Sequence, residues 1–401
     1  MEFFYLFNAL GLLGGSVVYA TPFPRTVSNE TAAIGIQKLA ASALNAAIAS
    51  MSNSTNGCTP DNMVVRRRWD DLSADERIEY TNAVLCLQNK PARTPSDFAK
   101  GAKTLYDDFV VSHINQTGTQ HNTASFLGWH RWFIWEYEQH LRNECNYTGT
   151  QPYWDWTKSV EDGLENSAMF DGSETSMSGN GAPVNHSSTD KIVISFGEPT
   201  IYLTPGSGGG CVTSGPFANM TVNLGPGGEY LLNNKTDTSV SNYDYNPRCL
   251  SRNLNTEVLE RAASPTSVLK QLTEFSDIAD FQNVIQGLST DPSLFMGLHG
   301  GGHFGFGGNP GPDVFTSPGE PAFYAHHSGI DRMWWIWQMQ DPAARVYGAS
   351  AVGGPRTKAE NSPNGTFHDT QWLGPYLAPG KEFNLGDLMN TVEGQFCYVY
   401  A

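Results

Sequence analysis

The residues in this chain best suited to chemistry are histidines, and six of the ten fall into two groups. His113, His121 and His130 form the first. His299, His303 and one of the adjacent pair His326 and His327 form the second. His299 and His303 stand at i and i+4, so on a helix they share one face. Between them lie Gly300, Gly301 and Gly302, each costing a helix about 1 kcal/mol relative to alanine. Such a run implies that something must approach the backbone closely there. His121 and His130 would fall on opposite faces of one continuous helix, so His121 is expected to precede the helix that carries His130. His113 is expected to end the preceding helix, with Asn115 to Gln120 as the connecting loop.

Three imidazoles with no cysteine suit a transition metal. Neutral imidazole ligates copper, zinc, iron and nickel, and three per metal leave coordination positions open. Two such metals facing one another could hold O2 between them. Six neutral ligands would leave the positive charge of the pair to stabilise a bound phenolate. The competing reading is a secreted zinc hydrolase using one triad. It lacks a glutamate beside the paired ligands, the base of the HExxH motif. Any one of these histidines could be an ordinary core residue, and that is the reading for His140, His186 and His368. Two triads on aromatic-rich helices are far more specific than a lone HxxxH.

Several segments must position these side chains. Residues 31–52 are Ala-rich and helical in propensity. Ser73-Ala-Asp-Glu76 reads as a capping box opening a helix toward Gln88. Ser96 can cap a helix reaching about Val111, and a third helical stretch runs from about Ala124 to Arg142. Residues 172–250 are rich in Gly, Ser, Asn and Thr and read as an irregular insertion of long loops with short strands, such as that starting at Lys191. Helical pattern resumes from Thr266 to Gln286. Asp291-Pro292 resembles a cap followed by proline at the first helical position. Pro321 to Met339 is the last long helix. The coarse reading is a mainly helical, single-domain chain.

The bulk properties fit a catalytic domain with a sizeable core: 401 residues, 39% hydrophobic and 12% aromatic, with ten tryptophans. Net charge is −16, so a basic nucleic-acid footprint is absent. Residues 1–20 read as a signal peptide ending at Val18-Tyr19-Ala20, and no other stretch is read as a membrane span, so 21–401 would be the secreted chain. Six cysteines, Cys58, Cys86, Cys145, Cys211, Cys249 and Cys397, suggest three disulfides in that compartment. Sequence alone does not choose among their fifteen pairings. The working expectation is Cys58–Cys397, which would tie the two chain ends together, with Cys86–Cys145 and Cys211–Cys249. Sequons at Asn29, Asn53, Asn146, Asn185, Asn219, Asn234 and Asn364 are glycosylation candidates. Asn115 is set aside because it lies beside a proposed ligand.

At this point the residues resemble a known family. His121-Asn-Thr-Ala-Ser-Phe-Leu-Gly-Trp-His130-Arg-Trp132 resembles the first copper motif of tyrosinases and catechol oxidases, the type-3 copper polyphenol oxidases. Phe323-Tyr-Ala-His326-His327-Ser-Gly-Ile-Asp331-Arg-Met-Trp334 resembles their second. Pro152-Tyr-Trp-Asp-Trp156 is similar to a segment found there, and Cys397-Tyr-Val-Tyr400 to the motif closing their catalytic core. The likeness runs from about Ala92 to Tyr400 and is strongest to short, secreted fungal members.

The resemblance implies a four-helix bundle holding two copper ions, with long loops and a few short strands. It implies His113, His121 and His130 on one copper, and His299, His303 and His327 on the other, the second member of the His-His pair being used. It makes Asp331, i+4 from His327, a group that would orient that ring, has Phe323 pack against the ligand rings, and gives Val314 the place of a gate residue. Members that hydroxylate monophenols strongly often carry Asn directly after the first ligand of the second copper and a Glu on the preceding helix that holds a water. Here those positions are Gly300 and Gln286, and the family Asn two after the last ligand is Gly329. No Cys stands near His121, where some relatives bond one to that histidine; the residue two before it is Thr119. The chain ends at Ala401, so a C-terminal masking domain is not expected. Together these imply oxidation of small o-diphenols by O2 to o-quinones, with weak or restricted action on monophenols or o-aminophenols. A full tyrosinase and a haemocyanin-like O2 carrier are the alternatives.

Overall fold

A computed structural model of the chain describes residues 27–51, 57–194, 200–227, 241–289, 291, 294 and 296–401. The proposed signal peptide, Asn53, Asn234 and Pro292 lie outside the described residues. Eleven helices are named here in chain order: α1 (Asn29–Met51), α2 (Ala74–Asn89), α3 (Leu105–Gln120), α4 (Phe126–Cys145), α5 (Trp156–Asp162), α6 (Thr256–Ala263), α7 (Pro265–Thr273), α8 (Ile278–Ile285), α9 (Gly297–Phe306), α10 (Ala322–Met339) and α11 (Pro342–Arg345). Strands are short and occur in two-stranded pairs. Six of them, among the described residues, fall between Gly181 and Cys249. The fold is the mainly helical one that the sequence leads one to expect, with α3, α4, α9 and α10 carrying the histidines.

Local chemistry explains most helix starts. Ser73 and Glu76 form a reciprocal capping box at α2. The helix expected to be capped by Ser96 begins instead after Thr104, where Thr104 and Asp107 form the box. Ser96 has no acid three residues on; Thr104 does. Residues 266–286 divide into α7 and α8, because Asp277 accepts from the backbone of Ala279 and Asp280 and restarts the chain. α4 runs to Cys145 and stops at Asn146 in the left-handed conformation.

α3 does not end at His113. It continues through Asn115–Gln120, and His121 is its C-cap. Thr117 Oγ1 donates to the His113 carbonyl at 2.6 Å, inside a segment of poor helix formers. Buried side chains from Leu105 to Ile114 dock that helix on the core and override weak propensity at its end.

By length and apolarity α1 could cross a membrane, which the sequence reading allowed only for the first residues. Its stripe of Ala32, Ile36, Ala43, Ala47 and Met51 is buried, and the helix packs on α7 and α10. A cleft between α1 and α5, lined by Ile34, Ala40 and Lys158 among others, touches none of the six histidines.

The chain ends are fastened to each other. Val64–Arg66 pairs in parallel with Tyr398–Tyr400, and Cys58 is bonded to Cys397 beside that pair. The other disulfides are Cys86–Cys145, joining α2 to the end of α4, and Cys211–Cys249 within the irregular region.

Under the bundle lies a buried ionic network. Asp331 on α10 accepts from Arg131 Nε, Tyr398 Oη and Tyr400 Oη, each at 2.6 Å. Arg66 bonds Glu138 Oε2 at 2.6 Å and reaches Asp331 at 3.5 Å. Arg131 also donates to the Met389 carbonyl and to Gln338 Oε1. Each carboxylate in this dry interior is thus matched by a guanidinium, and Asp331 by two phenol donors as well. The network ties α4, the residue after His130 included, to α10 and to both chain ends.

Candidate metal centre

The folded chain brings His113, His121 and His130 together, and separately His299, His303 and His327, with the ligand nitrogens in each group within 4.8 Å of one another. α3 supplies His113 and, at its C-cap, His121; α4 supplies His130; α9 supplies His299 and His303; α10 supplies His327. The two groups face each other. The rings of His130 and His327 stack at 4.5 Å with 20° between planes, and His121 lies 6.0 Å from His299.

Backbone carbonyls fix the rings. His113 Nδ1 donates to Phe315 O at 2.9 Å, His130 Nδ1 to Phe126 O at 2.8 Å, and His303 Nδ1 to Gly311 O at 2.8 Å. His121 Nδ1 faces Thr117 O at 3.3 Å. Each bond places the proton on Nδ1 and leaves the Nε2 lone pair for a metal. Nε2 of His113 and Nε2 of His130 are buried with no protein partner. His303 Nε2 lies 3.1 Å from His299 Nε2 and 3.3 Å from His327 Nε2. Ring nitrogens converging this closely are placed to share a cation. Burial pushes the histidines away from protonation: His113 and His303 are lowered to about 4, and the other four well below the usual value, partly because the rings oppose each other's charge. Six neutral imidazoles without a thiolate or carboxylate are the donor set of a copper pair, so the residues present fit that cofactor.

His326 is placed differently. Its Nε2 donates to the His299 carbonyl at 3.1 Å, and its Nδ1 accepts from Trp156 Nε1 at 3.1 Å. Both nitrogens are used, and none is left for a metal. The glycine run between His299 and His303 follows from this packing. A Cβ at Gly302 would lie 2.2 Å from His326 Cε1, and one at Gly301 would lie 2.2 Å from Ala262 Cβ. At Gly300 the nearest atom would be Met296 Cβ at 3.4 Å, an ordinary contact.

The supporting residues divide. Phe323 stacks on His327 at 4.1 Å and meets the edges of His113 at 5.5 Å, so it braces rings of both groups. Asp331 makes no hydrogen bond to His327. The expectation that it orients this ring is corrected: its carboxylate is taken by Arg131 and the two tyrosines, because a buried charge goes to its strongest donors. Val314 is half-buried, and its carbonyl accepts from Thr117 Oγ1 at 3.3 Å, which sets its backbone against the His113 helix. Gln286, at the end of α8, accepts from the Asn122 N–H at 2.8 Å and donates to Gln282 O. It therefore steadies the residue following His121. Gly329 leaves room for Trp156, whose ring atoms would lie 2.8 Å from a Cβ there.

Sequence reasoning passed over Phe126. Its ring touches His130 at 4.7 Å, His299 at 5.0 Å and His121 at 5.8 Å, joining the groups from the side opposite Phe323. The available signal was its position one helical turn before His130. The carbonyls of Phe315 and Gly311, which hold two of the rings, left no trace in the sequence because any residue offers a carbonyl. The candidate glycosylation positions Asn29, Asn146, Asn185, Asn219 and Asn364 are exposed, as is Asn115.

Comparison with known proteins agrees with this geometry. Residues 103–340 match the model for the common central domain of tyrosinase. The chain is 37% identical over 347 residues to Tyrosinase P of Aspergillus terreus, covering 85% of this chain and 93% of that protein. It is 36% identical over 368 residues to N-acetyl-6-hydroxytryptophan oxidase of Emericella nidulans, covering 89% of this chain and 98% of that one. Among solved structures, a variant polyphenol oxidase from Thermothelomyces thermophila superposes with a TM-score of 0.83 at 41% identity, over 92% of this chain and 98% of that chain.

Proposed function

Because this chain belongs to the tyrosinase family and is on that ground a copper-dependent phenol oxidase, we propose the narrower reading that it oxidises o-diphenols to o-quinones and acts only weakly on monophenols. His113, His121 and His130 would hold one copper, and His299, His303 and His327 the other. When bound, the copper pair supplies O2 binding and two-electron exchange with the diphenol. Everything else is done by this chain's own residues. Carbonyls of Phe315, Phe126 and Gly311 keep the Nε2 lone pairs aimed inward. Phe323 and Phe126 brace rings from both groups. Val314 is proposed as the residue that substrates pass at the entrance.

The observation that carries the reading is the state of Gln286. Its carboxamide is engaged with Asn122 and Gln282, and it has no ionisable group. Gly300 beside His299 offers no side chain either. A monophenol must lose its proton at the site, and neither position supports a base that would take it. A catechol needs less help, since two oxygens can approach the metals. Three disulfides and the apolar N-terminus support a secreted enzyme.

The test is a comparison of initial rates on tert-butylcatechol and tyrosine, with copper counted per chain. Two coppers, fast catechol turnover and slow or lagging tyrosine turnover are expected. Fast, lag-free tyrosine turnover makes the protein a full tyrosinase. Reversible oxygenation without catechol turnover makes it an oxygen carrier.

A further inference from the structure

Two of the carbonyls that orient the histidines come from one short turn. Phe315 O receives His113 Nδ1–H, and Gly311 O receives His303 Nδ1–H. Between them, Val314 O accepts from Thr117 Oγ1, which itself lies 3.3 Å from His113 Nδ1. Residues 310–316 belong to no helix or strand. A carbonyl aims a ring only as firmly as its own peptide is held, so something else must hold this one.

Asp313 is placed to do it. The residue is 1% exposed. Its N–H donates to Pro310 O at 2.8 Å and closes the turn across Gly311. Its Oδ1 accepts from the N–H of Thr316 at 3.1 Å and of Phe315 at 2.8 Å. The Thr316 N–H and the Phe315 carbonyl are two ends of one planar peptide. That peptide is therefore gripped by Asp313 on one side and offered to His113 on the other. The Phe315 N–H shares its peptide with Val314 O in the same way.

The second carboxylate oxygen reaches the irregular region. Oδ2 accepts from the Gly227 N–H at 2.6 Å. The two segments lie too close for side chains: a Cβ at Gly227 would stand 2.7 Å from Phe315 Cβ, and one at Gly225 2.8 Å from Thr316 Cγ2. Just before the turn, Asn309 pairs with Ser251 and accepts from Arg248 Nε at 2.6 Å. The irregular region thus backs the turn at both ends.

We propose that Asp313 is a positioning residue for the first metal: by holding the Phe315–Thr316 peptide it aims Nε2 of His113 at the copper. The proposal rests on the assignment of His113 as a ligand and adds the group that sets its direction. Charge-assisted bonds from a carboxylate to backbone N–H groups are strong enough for the task. His130 takes its direction from Phe126 O within its own helix, outside the reach of Asp313. It is the internal control.

The experiment uses the full chain loaded with copper and reduced, since copper(I) leaves histidine resonances sharp. In wild type, Asp313→Asn and Asp313→Ala, solvent exchange of the Nδ1–H protons of His113 and His130 is followed by NMR on nitrogen-labelled histidine. Copper per chain is measured against increasing chelator. Asp313→Ala is expected to weaken one of the two coppers about tenfold, the lower end of what loss of an outer-shell partner costs, and to speed exchange at His113 but not at His130. Asp313→Asn keeps one oxygen for Phe315 and Thr316 and loses the Gly227 bond, so it should show the same changes by a smaller factor. Asp331→Asn, which loosens the bundle elsewhere, should speed neither proton selectively. Equal acceleration at His113 and His130, or none at His113, overturns the proposal while the ligand assignment stands. If Asp313→Ala does not fold, Asp313→Asn decides alone, and wild-type exchange at its His113 overturns the proposal. Fewer than two coppers in wild type defeats the ligand assignment and the proposal with it.

Discussion

Trp156 donates its indole N–H to Nδ1 of His326 at 3.1 Å, and this bond decides which member of the His326–His327 pair can hold a metal. With Nε2 of His326 given to the His299 carbonyl, that ring is a strut between α10 and α9. His327 keeps its Nε2 beside His303 and His299.

His327→Gln is therefore expected to leave one copper per chain, and His326→Gln to leave two with weakened retention at the second site. Metal analysis after gel filtration reads the difference. One copper in both variants would mean that His326 coordinates.

Gly302 and Gly300 should respond oppositely to the same methyl group. Gly302→Ala drives a Cβ into the His326 ring and should destabilise the protein by about 1–3 kcal/mol and deplete the second copper. Gly300→Ala meets only Met296 at ordinary distance and should be neutral or stabilising by up to about 1 kcal/mol. Denaturant unfolding of both variants checks this.

Asp331→Asn leaves Arg131 buried at 0% side-chain exposure without its charge partner. A loss of about 3–5 kcal/mol in stability is expected. Copper content at moderate temperature should survive, because the Asp331 carboxylate is bonded to Arg131, Tyr398 and Tyr400 and to no histidine ring. Loss of copper without loss of stability would show that the residue acts on the metal site after all.

Gln286→Glu together with Gly300→Asn should raise monophenol turnover relative to catechol turnover, by supplying a proton acceptor and a partner to position it. Gly300 has the space for a side chain. The ratio of tyrosine to tert-butylcatechol rates is the measurement, and an unchanged ratio would remove Gln286 and Gly300 as the cause of the restriction.

Chelation of copper should lower the melting temperature, since metal that binds only the folded state stabilises it by mass action. Nε2 of His113 and of His130 would be left buried without a partner. Re-addition of copper should restore the transition, followed by differential scanning calorimetry.

Much of this was legible in the residue order. The i, i+4 spacing of His299 and His303 and the interruption between His121 and His130 marked two histidine groups, because a helix turns that order directly into faces, and the resemblance of the two aromatic-rich motifs to a known family singled out His327 within its pair. The capping box at Ser73 was local in the same way. Tertiary packing decided the rest. Thr104 rather than Ser96 starts α3, and α3 runs on to His121, because docking on the core outweighs weak propensity in Asn115–Gln120. Asp331 went to Arg131, Tyr398 and Tyr400, since a buried carboxylate is placed by the nearest guanidinium and phenols, which come from distant parts of the chain. The bonds that occupy both nitrogens of His326, and with them the reason for Gly302, depend on atoms brought together only when α5, α9 and α10 close around one another. Sequence sets which groups are present and their local order; three-dimensional packing sets which of their lone pairs and charges remain unspent.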